Sequence, residues 1–284
     1  MANVNVNGCN FYYEVHGNGE PLVLIMGLRR NTEWWYNQIP SLSKHFQVFA
    51  FDNRGAGRSD KPKMEYSIGL FSDDTAALMA ALDIPDAFIL GVSMGGYIAQ
   101  ELAINYPHKV RKMILGCTSC GGERAVLMSP ERMKKFTANA GLQPEEILRK
   151  DMDIYFSDVF VSGYPQKIEE FVKISMRHYQ PLDAFERQFN ACLRHDTVDR
   201  LNRIVIPTLI MFGDNDPLVP PQNSIFLQEL IPGSKLSKFT GGRHCFFIEM
   251  AERFNHETID FYNNDYWLDN SDINIRLPKV TYEN

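Results

Sequence analysis

A serine, an aspartate and a histidine, in that order and each following a strand-like run, are the residues of this chain best placed to do chemistry. The serine lies in Gly91-Val92-Ser93-Met94-Gly95, a Gly-x-Ser-x-Gly pattern. It follows Ala87-Phe88-Ile89-Leu90 and precedes the helix-like run Gly96 to Ala103. Strand, sharp turn and helix are the context that makes such a pattern a nucleophile elbow. Glycines two residues to either side have no Cβ to clash where strand and helix approach closely. The Ser93 hydroxyl would then project at a helix N-terminus. Free N–H groups and the positive end of the helix dipole favour developing negative charge there.

A serine hydroxyl is a poor nucleophile until a base accepts its proton, and the base works best when a carboxylate orients it. After the apolar run Thr208 to Phe212 come two carboxylates that could serve, Asp214 and Asp216. After Leu236-Ser237-Lys238-Phe239 comes the glycine-rich Thr240-Gly241-Gly242-Arg243-His244. His244 can bend back toward the elbow from such a loop. A histidine base implies activity that rises with pH through roughly 6 to 7. The oxyanion needs two backbone donors. Met94, just after the serine, supplies one. Leu28, in Met26-Gly27-Leu28-Arg29-Arg30 after the run Leu22 to Met26, supplies the other.

The elements that must position these residues alternate. Apolar runs at Leu22 to Met26, Gln47 to Phe51, Ala87 to Leu90, Met113 to Leu115 and Thr208 to Phe212 do not alternate polar with apolar, as expected of strands buried on both faces of a parallel sheet. Helical spacing recurs at Leu70 to Leu82, Tyr97 to Asn105, Gln222 to Leu230 and Phe246 to Phe261. Asn7-Gly8 between Val4-Asn5-Val6 and Phe11 to Val15 reads as a hairpin. The class is α/β with a mainly parallel sheet. From about Gly122 to Arg200 no strand is evident. Helix-like pieces Pro130 to Ala140, Pro144 to Tyr155, Pro165 to Tyr179 and Pro181 to His195 fill that interval. Each starts at or near a proline, a favoured first helical residue. A helical insertion between core strands reads as a cap. The predicted division is core over 1–121, cap over 122–200, core again over 201–263 and a tail over 264–284.

With a net charge of −6 and no basic run, the chain carries no footprint for nucleic acid. The longest apolar run, about Leu22 to Leu28, is far short of the roughly 20 residues of a membrane span. The polar start, Met-Ala-Asn-Val-Asn-Val, has no signal pattern, so a cytoplasmic protein is expected. An odd count of five cysteines argues for free thiols. Cys117-Thr-Ser-Cys120 has no second half-site for zinc, and Gly121-Gly122 suits a loop better than a redox helix.

The chain resembles the capped branch of the α/β-hydrolases, including 3-oxoadipate enol-lactonases, carboxylesterases and meta-cleavage-product hydrolases. Besides the elbow, Phe51-Asp52-Asn53-Arg54-Gly55-Ala56-Gly57-Arg58-Ser59-Asp60 is similar to that family's Asp-x-Arg-Gly-x-Gly-x-Ser loop, and Gly242-Arg243-His244 is followed by Glu249. The resemblance implies an eight-stranded sheet. It also implies Asp216, three residues after Gly213, as the acid. The local chemistry agrees. Asp214 directly follows Gly213, where a short polar side chain satisfies turn N–H groups. Pro217 restricts Asp216 to extended conformations and fixes its direction. The sequence departs from the family at Met26, where a histidine is usual, which leaves the backbone donor intact.

The expected activity is that of a serine hydrolase of a small ester or lactone, acting through an acyl-enzyme with no metal or organic cofactor. A C–C hydrolase of a ring-cleavage product, or a receptor on a hydrolase scaffold, are the alternatives, since fold does not dictate function. The expected partner is a small molecule, the expected state a monomer or homodimer. Trp34, Tyr97, Tyr155, Phe156 and Phe160 are expected to line the pocket. Arg29, Arg30 and Arg124 are the candidates to meet a substrate carboxylate, although solvated surface positions are the commoner fate of arginines.

Overall fold

The computed structural model describes residues 2–264. Its centre is one eight-stranded sheet in the order β1-β2-β4-β3-β5-β6-β7-β8. In chain order the strands are β1 (Ala2–Val6), β2 (Cys9–His16), β3 (Pro21–Ile25), β4 (Gln47–Phe51), β5 (Ala87–Val92), β6 (Val110–Gly116), β7 (Thr208–Gly213) and β8 (Lys235–Phe239). The β1–β2 and β2–β4 pairs are antiparallel, and every later pair is parallel. Asn7 and Gly8 both take positive φ, 49° and 68°, as a two-residue hairpin turn of matching twist demands.

The apolar runs are strands because both faces of the sheet are covered. Leu22 and Leu24 of β3 join one core layer with Val48, Leu90 and Ile114, while Val23 and Ile25 join the other with Phe49, Ile89 and Leu115. Strand β5 and strand β7 are buried along their whole length. Each such side chain contributes about 1.5–3 kcal/mol by leaving water. The helices Ile68–Ala81, Met94–Asn105 and Gln222–Leu230 flank the sheet.

The late helix is interrupted. Phe246–Glu249 ends at Met250, whose φ and ψ are −111° and 41°, and Ala251–Asn263 starts anew. The interval between β6 and β7 holds six α-helices rather than four: Pro130–Thr137, Pro144–Lys150, Met152–Tyr155, Asp158–Gly163, Pro165–Ser175 and Leu182–Leu193. The piece expected from Pro144 to Tyr155 breaks at buried Asp151. The Ser157 hydroxyl, accepting from Phe160 N, caps a short helix that periodicity did not disclose. The two ends of this segment are stapled together. Gly122 N donates to His195 O at 2.9 Å, and Thr197 N donates to Cys120 O at 2.9 Å.

Among the described residues no helix is long and apolar enough to cross a membrane. The tail expected over 264–284 lies, beyond Asn264, outside the described residues.

Candidate active site

All the candidate groups emerge at one edge of the sheet, past the C-terminal ends of the parallel strands, where open α/β sheets bind ligands. Ser93 follows β5 with φ 56° and ψ −124°, a conformation that costs a side-chain-bearing residue of order 1–3 kcal/mol. Its surroundings hold it there. Ser93 N donates to Gly116 O at 2.8 Å, and Ser93 O accepts from Gly96 N at 2.8 Å and from Thr118 Oγ1 at 2.9 Å. The flanking glycines are obligatory by contact. A Cβ at Gly91 would lie 2.3 Å from Gly95 O, and one at Gly95 would lie 2.0 Å from Ile25 O.

His244 Nε2 stands 3.2 Å from Ser93 Oγ. On its other side Nδ1 donates to Asp216 Oδ2 at 2.8 Å. A carboxylate oxygen can only accept, so the proton sits on Nδ1 and Nε2 is free to take the serine proton. The second oxygen, Asp216 Oδ1, accepts from Leu218 N at 2.8 Å and Val219 N at 3.0 Å. The buried carboxylate is therefore held by three donors. Asp214 is occupied elsewhere: its Oδ1 accepts from Gly241 N at 2.7 Å, tying the loop after β7 to the loop after β8. The inserted helices brace the histidine, since His244 N donates to Ile154 O at 3.2 Å and Cys245 N to Tyr155 O at 2.8 Å.

The loop after β3 packs directly on the serine. A Cβ at Gly27 would come within 2.9 Å of Ser93 Cβ, so only glycine lets Leu28 approach. Among the described residues neither Leu28 N nor Met94 N has a protein acceptor, which leaves both free for an oxyanion. The loop after β4 fixes this geometry. Asn53 Nδ2 donates to Met26 O at 2.9 Å, and buried Asp52 accepts from Thr32 N and Arg58 N, both at 2.7 Å.

Ser93 and His244 open into a cavity of about 320 Å³. Trp34, Tyr97 and Tyr155 line it, as do Leu127, Met133, Phe136, Phe185 and Phe189 of the inserted segment. Phe156 and Phe160 do not, which corrects the expectation drawn from the sequence. Phe156 leaves its helix in extended backbone, φ −130° and ψ 155°, and successive side chains of extended chain point to opposite sides. Tyr155 thus faces the cavity while Phe156, wholly buried, packs on Phe160 and Phe171 with ring centroids 5.2 and 4.7 Å away. Arg124 is also accounted for: it pairs with Glu229 on the surface. Cys117 and Cys120 are buried free thiols, and burial holds the Cys117 thiol well above its usual range, in its protonated form.

Two groups at the site escaped the sequence. Gln188, on the helix Leu182–Leu193, is fully buried. It accepts from Arg29 N at 3.0 Å and donates to Arg54 O at 2.7 Å, clamping the inserted segment to two loops of the sheet. A glutamine on an amphipathic helix carries no signal for that contact. His195 stacks on Tyr97 at 4.3 Å, and neither ring nitrogen has a partner among the described residues. Burial is the main cause that pushes its imidazole down to about 4, with Glu101 and Asp196 opposing the shift and Arg200 adding to it.

The folded protein therefore binds fewer protons at His195 than the unfolded chain does between about 6.5 and 4. Stability from this residue is present above about 6.5 and is lost as pH falls through about 4. We expect the Tm of the wild type to drop more steeply over that window than the Tm of His195→Phe, which keeps the ring stack. Parallel Tm–pH curves for the two proteins would refute the assignment.

The profile of the alpha/beta hydrolase fold matches residues 20–251. The chain belongs to the alpha/beta hydrolase fold family. Several of its relatives are named as enzymes. A poly(3-hydroxyalkanoate) depolymerase of Ectopseudomonas oleovorans is 30% identical over 241 residues, covering 82% of this chain and 80% of the relative. A 3-oxoadipate enol-lactonase of Acinetobacter baylyi is 28% identical over 239 residues, covering 83% and 85%. Among solved structures, a meta-cleavage product hydrolase from Pseudomonas fluorescens IP01 superposes with a TM-score of 0.78 at 27% identity, over 93% of this chain and 97% of the other. The family resemblance and the eight-stranded α/β-hydrolase sheet read from the sequence agree with these matches. The chain is an enzyme of this family, and Met26 lines the cavity beside Ser93.

Proposed function

We propose that the protein is a serine hydrolase that cleaves a small carboxylic ester or lactone through an acyl-enzyme. The observation that carries this reading is the run of contacts from Asp216 through His244 to Ser93 beside a cavity lined by two free N–H groups. Ser93 Oγ attacks the carbonyl carbon while its proton passes to His244 Nε2. Asp216 keeps the imidazole in the right tautomer and stabilises the imidazolium. The oxyanion is met by Leu28 N–H and Met94 N–H. His244 then gives its proton to the departing alcohol oxygen, which in a lactone stays tethered to the acyl group. Water, deprotonated by His244, attacks the acyl carbon, and Ser93 leaves with the proton restored. The serine proton thus leaves on the alcohol, and one proton of the water replaces it on Ser93, both by way of His244. In this reading residues 122–200 form a cap over the core made by 1–121 and 201–263.

Labelling by a fluorophosphonate and turnover of p-nitrophenyl butyrate test the reading together. Labelling of Ser93 with turnover supports it. Labelling without turnover of any aryl ester or lactone, but with cleavage of a vinylogous 1,5-diketone, would replace it by C–C hydrolysis. Neither labelling nor turnover would leave a binding protein.

Because the inserted helices wall the cavity, Phe185→Ala and Phe189→Ala are expected to shift the ranking of acyl chain lengths among p-nitrophenyl esters. Phe156→Ala should instead lower stability by about 3–5 kcal/mol, as a core truncation does, and leave the ranking alone. An unchanged ranking in both cavity variants would remove the inserted segment from substrate choice.

A further inference from the structure

The cavity wall carries an uncompensated positive charge. Arg29 and Arg30 both line it, and no Asp, Glu or Lys does among the described residues. This stands out in a chain whose net charge is −6. Neither guanidinium has a carboxylate partner among the described residues. Arg30 lies over the Trp34 ring at 4.1 Å and donates through Nη2 to Tyr155 Oη at 2.9 Å. Arg29 lies between the rings of Tyr179 and Phe185, at 4.6 and 5.0 Å, and its Nε is buried without an acceptor. The acid that acts on Arg29 from a distance, Asp151, is held by Lys150 at 3.2 Å and is not part of the wall.

The backbone pays attention to this placement. Arg29 has φ 72°, a left-handed conformation that disfavours any residue but glycine. Its N–H is gripped by Gln188, and Arg30 N donates to Gly27 O at 3.3 Å. Two adjacent like charges are thus held against an apolar wall, one in a strained conformation. Burial, followed by repulsion from Arg30, pushes Arg29 down to about 10, so it stays charged at neutral pH. Half-buried charges without a counter-ion are costly. An anion entering the cavity would relieve that cost and complete the open hydrogen-bonding positions. Guanidinium groups match a carboxylate in shape as well as in charge.

We propose that Arg29 and Arg30 form an anion subsite of this cavity, and that the ester or lactone turned over carries a carboxylate. The inference rests on the hydrolase reading for its chemistry. The subsite begins on the residue directly after Leu28, so it lies on the oxyanion side of Ser93. One guanidinium–carboxylate contact of this kind contributes about 1.5–3 kcal/mol, or roughly tenfold to a hundredfold in affinity.

The test uses two matched pairs of esters. In the first, mono-p-nitrophenyl glutarate is set against its methyl-capped neutral form, which places the charge on the acyl side. In the second, 4-acetoxybenzoate is set against methyl 4-acetoxybenzoate, which places it on the alcohol side. In one pair at least, wild-type kcat/KM should favour the anion by tenfold or more. In the double variant Arg29→Met, Arg30→Met that ratio should fall by about tenfold or more, to near unity, mainly through KM, with partial recovery when both are Lys. A preference absent from both pairs in the wild type overturns the subsite. So does a preference that the double variant retains. If the wild type turns over neither these four esters nor p-nitrophenyl butyrate, the hydrolase reading fails instead. Calorimetric binding of glutarate then decides: binding weakened tenfold or more in the double variant supports the subsite, and no binding to the wild type removes it.

Discussion

The Ser93→Ala protein is expected to lose ester turnover by about four orders of magnitude or more. Among the described residues the hydroxyl removed is the only one bonded to His244 Nε2, at 3.2 Å, so the imidazole is left with no nucleophile to deprotonate. The loss should fall on kcat with little change in the fold. The turn that strains residue 93 is imposed by backbone contacts to Gly116, Gly96 and Thr118, none of which uses the serine hydroxyl. Circular dichroism and Tm should therefore match the wild type, and the fluorophosphonate label should disappear. A variant that kept more than a tenth of the wild-type rate would show that Ser93 is not the nucleophile.

Asp216→Asn should lower turnover by about a thousandfold or more, equivalent to roughly 4 kcal/mol of transition-state stabilisation. The reason lies in the direction of the hydrogen bonds. Leu218 N and Val219 N would keep the amide oxygen of the new side chain where Oδ1 now lies. Its amide nitrogen would then face His244 Nδ1, and two donors cannot share that contact. The imidazole must shift its proton to Nε2, where it can no longer accept from Ser93. Asp214→Asn differs, because an amide oxygen can still accept from Gly241 N, and activity should stay within a few-fold of wild type. Rates of the two purified variants decide between the acids. The reverse pattern would make Asp214 the orienting group, and equal losses would mean that the two carboxylates act as a unit.

The central strands were legible because they are buried on both faces. Continuous apolar runs such as Leu22 to Met26 and Thr208 to Phe212 leave little room for another reading, and the structure moves their ends by a residue or two. The order serine, aspartate, histidine on loops after strands was legible too. That Asp214 turns away from His244 rests on a bond to Gly241 across 27 positions of sequence, beyond any local pattern. The inserted helices were legible as helices but not as surfaces. Phe156 and Phe160 are aromatics on helical pieces, and the backbone turn at Phe156 decides that they face the core rather than the cavity. Gln188 reaches a partner 159 positions away. No periodicity encodes such a contact.

The place of the inserted segment in the chain also sets the order in which the site can be built during synthesis. The elbow and the loop after β3 belong to strands made early, and β3, β5 and β6 can pair as soon as they emerge. In the proposed mechanism the acid and the base follow β7 and β8, which add to the sheet beyond β6 only after the whole helical segment has been translated. Bringing β7 to β6 means closing a loop from Gly116 to Thr208, a cost that grows slowly with length and is met late. A nascent chain that has not yet released β8 carries the strained serine without His244. On the proposed mechanism the reactive centre is therefore completed only when β8 docks, and a chain still lacking that strand is expected to hold an inert hydroxyl.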